Sequence, residues 1–271
     1  MYNREYRFGV KGEKSRIMKT LAIVNQKGGV GKSTTAAALI NGFTSRGIKA
    51  LAIDLDAQGN LSHTMKAKID GVTILEVLKQ ENTANEAIQH TEGGYIIAAN
   101  KALAGADTLL TITGKEYKLQ EALESIKEEY DYIILDSPPA LGILTVNALT
   151  AADNVIIPAQ ADVYSLQGIE QVAETIRPVR KYCNSHLMIE GILLTRYTSR
   201  AILSREVASL MEQVATKLGT KLFKATIREA IAVREAQISQ KSLFAYAPKS
   251  KVAEDYNNFI EEVLEDIKIK A

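Results

Sequence analysis

One cysteine in 271 residues excludes an internal disulfide framework. The lone thiol, Cys183, cannot by itself hold an iron–sulfur cluster or a cysteine-rich zinc site, and it suits a reducing cytosol. No apolar run approaches the ~18–20 residues that a bilayer-spanning helix needs. The N-terminus has no signal-peptide pattern, because its charges never give way to an apolar stretch. The three histidines, His63, His90 and His186, lack ligand spacing and read as structural or exposed. No internal repeat or low-complexity linker interrupts the chain. Against these absences, a hydrophobic content of 46% and a charged content of 24% are those of a globular protein with a sizeable core.

A formal net charge of +1 conceals an uneven distribution. Residues 1–19 carry six Lys/Arg and two Glu, and residues 177–251 carry fourteen Lys/Arg and five Glu. A basic C-terminal third on a near-neutral chain is a candidate footprint for nucleic acid, although scattered solubilising lysines give the same tally. Residues 1–17 are basic and show no periodicity, which predicts a flexible N-terminal arm or an extension ahead of a start at Met18. The remainder, 18–271, is expected to be one domain.

An apolar run, Thr20–Asn25, and a helix-compatible run, Thr35–Ile40, bracket Lys27-Gly28-Gly29-Val30-Gly31-Lys32-Ser33-Thr34. Strand, glycine-rich turn and helix start together make a phosphate cradle. The glycines let backbone N–H groups wrap an anion, and the helix adds its positive end. Lys32 is placed to reach the β- and γ-phosphates, and the Ser33 hydroxyl to ligate Mg²⁺. The usual pattern, G-x-x-x-x-G-K-[ST], departs at one point: Gln26 stands where its first glycine belongs, and a second lysine, Lys27, follows.

Apolar runs and amphipathic stretches alternate along the rest of the chain. Strands are expected at about Lys19–Asn25, Ala50–Asp54, Tyr95–Ala99, Asp131–Asp136, Asn154–Pro158 and Met188–Leu194. Helices are expected at about Lys32–Arg46, Tyr117–Tyr130, Ser165–Arg177, Ala201–Leu218 and Lys249–Ile269, with short helices over 61–90. This alternation predicts an α/β fold, a single doubly wound and mainly parallel sheet flanked by helices. The last helix repeats Val252, Tyr256, Phe259, Ile260, Val263, Leu264 and Ile267 on one stripe, with six acids and four lysines over Lys249–Ala271. A membrane-surface helix carries the opposite sign, so packing on the sheet is expected.

Three acids stand at strand ends. Asp136, before Ser137-Pro138-Pro139, is placed like the acid that holds Mg²⁺ in a nucleotide site. Asp56 follows the second strand and is placed to orient an attacking water, and Asp54 is closer in, as a supporting partner. Asn25–Thr34, Asp54-Leu55-Asp56-Ala57-Gln58-Gly59-Asn60 and Asp136-Ser137-Pro138-Pro139-Ala140-Leu141-Gly142 resemble the deviant Walker A ATPases of the ParA/MinD group. Leu144–Leu149, Pro158-Ala159-Gln160 and Gly168-Ile169-Glu170-Gln171 resemble the short, Soj-like partition ATPases within it. The likeness runs from about Met18 to the C-terminus. Ala57 stands where proline is common, and Ile227-Arg228-Glu229 lacks a proline usual in the loop near the adenine.

The resemblance implies a P-loop ATPase using ATP and Mg²⁺, with Lys27, Lys32 and Asp56 catalytic and Gly28, Gly29, Val30, Gly31, Lys32, Ser33 and Thr34 around the phosphates. It implies Ser33, Asp136 and Asp56 at the metal. It also implies an ATP-dependent homodimer in which Lys27 crosses to the partner's phosphates, as an arginine finger does. The dimer would bind double-stranded DNA without sequence choice, and a ParB-like centromere-binding protein would stimulate hydrolysis. Such a protein would be cytoplasmic and bacterial, on the nucleoid when ATP-bound, with no membrane partner. Arg196, Arg200, Arg205, Arg228 and Arg234 are candidate phosphate contacts to DNA, and the arm's Arg4, Arg7, Lys11 and Lys14 could add to them. The alternatives on this scaffold are a MinD-like membrane-surface ATPase, a nitrogenase-iron-protein-like carrier, a small-molecule ligase or kinase, and a DNA-binding regulator without turnover. The carrier needs clustered cysteines that this chain lacks.

Overall fold

Strands that are apolar on both faces have one stable location, the middle of a sheet covered by helices on each side. In a computed structural model that describes residues 18–198 and 202–270, the central runs take that location. Arg200 and the segment 1–17, with Arg4, Arg7, Lys11 and Lys14, lie outside the described residues. The chain runs through β1 (Lys19–Ile23), α1 (Lys32–Ser45), β2 (Ala50–Asp54), α2 (Asn60–Thr64), α3 (Ile74–Leu78) and α4 (Ala84–Ala87). It continues through β3 (Ile88–Thr91), β4 (Gly94–Ile97), α5 (Ala106–Leu109), α6 (Lys118–Leu123), β5 (Tyr132–Asp136) and α7 (Ile143–Ala151). Next come β6 (Asn154–Gln160), α8 (Val163–Tyr182), β7 (Met188–Thr195) and α9 (Ile202–Lys217). The last elements are β8 (Leu222–Thr226), α10 (Ile231–Ile238), α11 (Leu243–Tyr246) and α12 (Lys251–Lys270).

The eight strands form one sheet in the order β3-β4-β2-β5-β1-β6-β7-β8. Every pairing is parallel except β3 with β4. On one face α1 and α12 press Leu39, Ile40, Phe43, Tyr256, Phe259 and Ile260 against the sheet. On the other, α3, α6, α7, α8 and α9 bury Leu75, Leu119, Leu149, Ile169, Val172 and Met211. Over its described side chains the apolar stripe of α12 packs on the sheet: Val252, Tyr256, Phe259, Ile260 and Val263 are buried and Leu264 partly so. Among the described residues no helix is long and apolar enough to cross a membrane.

Four local expectations need correction. Residues 88–90, expected within a run of short helices over 61–90, fall instead in the antiparallel edge strand β3, because the turn at Glu92-Gly93 and Gly94 at φ 116° fold it back on β4. The helix expected over 117–130 is interrupted: 3₁₀ turns at 115–117 and 127–129 flank α6, and the second keeps Ile126 and Tyr130 buried. Helix α8 does not stop before Pro178 but runs on to Tyr182. Proline removes one backbone bond there, while Ile176 and Val179 stay buried on the core side and hold the final turn in place. Strand β8, unmarked by any long apolar run, pairs with β7 at the sheet's end among the described residues and buries Phe223.

The β7–β8 contact is tight. A Cβ added at Gly191 would lie 2.5 Å from Cε2 of Phe223, a rigid ring that α12 holds through an edge-on contact with Phe259 at 5.0 Å. Gly191→Ala is therefore expected to destabilise the fold by about 1–3 kcal/mol through overpacking. Urea unfolding checks this, and an unchanged midpoint would show that the ring moves aside freely.

Candidate functional site

Where β1 ends at Ile23 the chain turns tightly into α1. Gly29 (φ 74°) and Gly31 (φ 89°) occupy the left-handed region that glycine enters without a Cβ penalty. Gly31 is the N-cap of α1 and offers no side-chain cap, so the first-turn N–H groups of that helix face the loop with no capping oxygen of their own. The loop is anchored from outside. Asn25 Nδ2 donates to the carbonyl of Pro158 (2.7 Å), and Asn25 Oδ1 accepts from the N–H of Lys27 (2.9 Å). Gln160 Nε2 donates to the Gly29 carbonyl (3.4 Å), and Thr195 Oγ1 to the Val30 carbonyl (2.8 Å). The ends of β6 and β7 thus hold the glycine loop in shape.

Strand register brings the acids together. Asp136 on β5 lies level with Ile23 on β1 and with Asp54 on β2. Asp54 is fully buried and fully engaged: Oδ2 accepts from the N–H (2.8 Å) and Oγ (2.7 Å) of Ser62, and Oδ1 from the N–H of Asp56 (3.1 Å). Burial pushes its carboxyl up to about 6, against the pull of those donors. Asp54, the last residue of β2, shapes the turn that carries Asp56. Asp56 borders the cavity, and its Oδ1 accepts from the N–H of Gln58 (3.0 Å).

Asp136 is different. It is completely buried, and neither carboxylate oxygen has a hydrogen-bond partner among the described residues. Burial, with Asp54 second, pushes its pKa well above the usual carboxylate range. The Ser33 hydroxyl lies close enough to oppose that shift, though outside the geometry of a formed hydrogen bond, and Lys32 opposes it too. Lys32 is itself buried, which lowers its pKa, while Asp136 and Asp56 pull it back up. One buried cation and one unpartnered buried carboxylate therefore sit at the same strand ends. An anionic ligand with its own cation would satisfy both, and a hydroxyl plus a carboxylate is a donor set suited to Mg²⁺.

Gly28, Gly29, Gly31, Lys32, Ser33, Thr34 and Asp56 line one cavity of about 430 Å³, joined by Gln58, Asn60, His63, Pro139, Arg196 and Gln237. Val30 turns away from it, into a smaller cleft of about 80 Å³ that Arg196, Arg228 and Arg234 also border. Lys27 does not line the main cavity. Its ammonium donates to Oδ2 of Asp162 (2.5 Å) and to Oγ of Ser165 (3.3 Å) at the start of α8.

Of the arginines expected to meet DNA, Arg196, Arg228 and Arg234 border one small cleft, while Arg205 lies on α9. Arg196, in the left-handed region at φ 49°, borders the same cavity as the glycine loop. Arg228 is clamped on Asp255 through Nε (2.6 Å) and a terminal guanidinium nitrogen (2.6 Å), a charge-assisted fork that uses two of its N–H donors. Arg234 is 66% exposed, 3.9 Å from Glu229, and Arg205 is exposed on α9. Sequence reasoning gave no role to Asp162, Thr195 or Gln237, whose Nε2 donates to Thr34 Oγ1 (3.0 Å). None of the three carries a signal by spacing, since each meets the loop only through the fold.

Residues 18–189 match the family described as an AAA domain. The chain is 39% identical to the sporulation initiation inhibitor protein Soj of Bacillus subtilis, over 90% of this chain and 98% of that protein. It is 37% identical to the chromosome partitioning protein ParA of Myxococcus xanthus, over 91% and 88%. Among solved structures, it resembles a cobyrinic acid a,c-diamide synthase from Mycobacterium smegmatis with bound ATP analog and magnesium. That match has a TM-score of 0.82 and 34% identity, and it covers 94% of this chain and 98% of that one.

The lifted pKa of Asp136 has a consequence for stability. The folded chain prefers the neutral acid, so this group's contribution is most favourable below the unfolded carboxylate value of about 3.9 and worsens as pH rises toward the lifted one. Asp136→Asn removes that penalty. Thermal melts of the ligand-free variant are expected to show a flatter profile between about pH 4 and about pH 8, with a higher Tm at the upper end. A variant less stable than the parent at the upper end would show that the buried carboxylate is not a source of strain.

Proposed function

The chain belongs to the Soj/ParA family of P-loop ATPases, and from that premise we propose an ATP hydrolase that drives DNA partitioning. The observation that carries the nucleotide half is the unpartnered Asp136 carboxylate, buried at the foot of the glycine loop beside Lys32 and Ser33. The partitioning half is supported by relatives named for chromosome partitioning.

In this reading the N–H groups of the loop and the first turn of α1 take the phosphates of ATP, and Lys32 meets the β- and γ-oxygens. The Ser33 hydroxyl and Asp136 would hold Mg²⁺, which would supply positive charge against those oxygens. Asp56 orients the water that attacks the γ-phosphorus, so that the bond to the bridging oxygen breaks and ADP and inorganic phosphate leave. Lys27 completes the partner's site in a nucleotide-sandwich homodimer. Residues 18–271 act as the ATPase unit, and residues 1–17 as a basic arm. The dimer binds double-stranded DNA non-specifically in the bacterial cytoplasm, on the nucleoid, and a ParB-like centromere-binding protein stimulates turnover. For DNA, Arg234, whose side chain is 66% exposed, is favoured over Arg228, which Asp255 holds, and over Arg196, which faces the nucleotide cavity. A MinD-like role at a membrane surface is disfavoured, since the described part of the α12 apolar stripe lies in the core and the helix carries more acids than lysines.

ATP turnover measured alone, with DNA, and with DNA plus a candidate centromere-binding protein tests the reading. Strong stimulation by the last combination is expected. Indifference to both, with turnover on a small carboxylic acid and an amide donor, would replace partitioning by ligase chemistry of the kind the Mycobacterium smegmatis neighbour is named for. Asp56→Ala should retain ATP-dependent dimerisation and DNA binding while hydrolysis falls by about 10²–10⁴-fold. Unchanged turnover would remove Asp56 from the reaction.

A further inference from the structure

The ammonium of Lys27 points away from its own chain's phosphate cavity, and the reason lies on α8. Asp162 is the N-cap of that helix and divides its two oxygens between two tasks. Oδ1 accepts from the N–H of Ser165 (2.9 Å), capping the helix, while Oδ2 takes the Lys27 ammonium (2.5 Å). Ser165, fully buried, adds a second acceptor to the same ammonium at 3.3 Å. The backbone on each side is equally constrained. Lys27 N–H is held by Asn25 Oδ1, and α8 packs against the loop at Gly168. A Cβ at Gly168 would lie 3.1 Å from Asn25 Oδ1 and 3.9 Å from the Lys27 Cβ. A larger residue would push the helix, and Asp162 with it, away from the loop. At the same helix start Val163 and Tyr164 are 65% and 77% exposed, two large apolar side chains on the edge beside the lysine.

We propose that Asp162 is a keeper for Lys27: in the free subunit it holds the lysine that the dimer needs, and assembly requires that each Lys27 exchange Asp162 for a phosphate of the partner's nucleotide. This rests on the sandwich reading given above and adds the step that opposes it. The ammonium has one short contact to give, and a carboxylate of its own chain already has it. Exchange becomes favourable only when the competing anion carries more charge than a single carboxylate, which a triphosphate does and an empty or product-bearing partner site does less well. Asp162 thereby makes the lysine's crossing depend on what the partner holds, and it keeps the second cation away from its own chain's phosphates in a lone subunit.

The size of the effect follows from the exposure of the pair. Lys27 and Asp162 side chains are 28% and 36% exposed, so solvent screens the attraction. Such a pair holds its lysine by about three- to fivefold. A symmetric dimer releases two, and the factors multiply to about 10- to 25-fold in the dimer constant.

Asp162→Asn tests this, because asparagine caps a helix as well as aspartate does and removes only the charge. Two measurements on the full-length protein are needed. In the first, the free protein is acetylated with a limiting amine reagent and Lys27 modification is followed by mass spectrometry. Lys27 should react several-fold faster in Asp162→Asn than in the parent, with other lysines unchanged, and equal rates overturn the keeper. In the second, dimerisation with Mg²⁺ and a non-hydrolysable ATP analogue is followed by sedimentation, and the variant should dimerise about tenfold more tightly. A weaker dimer would show that Asp162 positions Lys27 for the partner instead of withholding it, and an unchanged constant would show that the contact does not oppose assembly. Either result overturns the proposal. Failure of the unsubstituted protein to dimerise under these conditions overturns the sandwich reading and, with it, the exchange step, while the labelling result still decides whether the contact holds the lysine.

Discussion

A buried carboxylate with no donor to either oxygen is a costly object to fold around, and the nucleotide site is arranged about one. Asp136 is lifted toward its neutral form by burial, by Asp54 on the neighbouring strand and by Asp56 on the loop beyond. The chain supplies donors generously one strand away, where Asp54 has three, and withholds them from Asp136. Two acids at the same level of one sheet thus have different fates. One is satisfied internally and shapes a loop; the other is left for something from outside. A protein that keeps such a group accepts lower stability in its empty state, which a cation and an anion entering together would relieve.

The glycine loop depends on its neighbours in the same way. Glycines at positive φ permit its path but do not select it, and the selection comes from the ends of β6 and β7. The Pro158 carbonyl, Gln160 and Thr195 each bond to the segment between Asn25 and Val30. Those residues lie more than 125 positions away in sequence. They reach the loop because β6 pairs directly with β1, and β7 with β6. The run Pro158-Ala159-Gln160, whose interest in the sequence was only its likeness to partition ATPases, thereby gains a physical task. It clamps the loop, and two residues further on the same chain places Asp162 against Lys27.

The parts most legible in the sequence were those under local control. The apolar runs at 20–24, 50–53 and 132–135 can sit only in a sheet covered on both faces, and the strand-end acids follow from where those runs stop. The parts misjudged were those where packing outweighs local preference. Pro178 should end a helix, yet buried Ile176 and Val179 carry α8 one turn past it. The stripe from Tyr117 to Tyr130 should make one helix, yet 3₁₀ turns interrupt it while leaving Ile126 and Tyr130 in the core. Arg228 looked available because a sequence does not show Asp255 folding back onto it.

By itself, the order of residues determined that this chain has a phosphate-binding turn between a strand and a helix, that acids end the neighbouring strands, and that the sheet is parallel and wound on both sides. Those conclusions rest on short-range chemistry: glycine's φ freedom, a helix's positive end, and the need to bury apolar runs. Only the tertiary structure decided which acid is satisfied and which is left bare, because that turns on Ser62 reaching Asp54 while no donor among the described residues bonds Asp136. It alone decided that Arg196 belongs to the nucleotide cavity and Arg228 to Asp255. It alone showed what Lys27 does in a single chain. The spacing marked that lysine as one too many for a phosphate loop, but a contact across 135 residues, with its distance and its competitor, exists only once β6 and α8 have been laid beside β1.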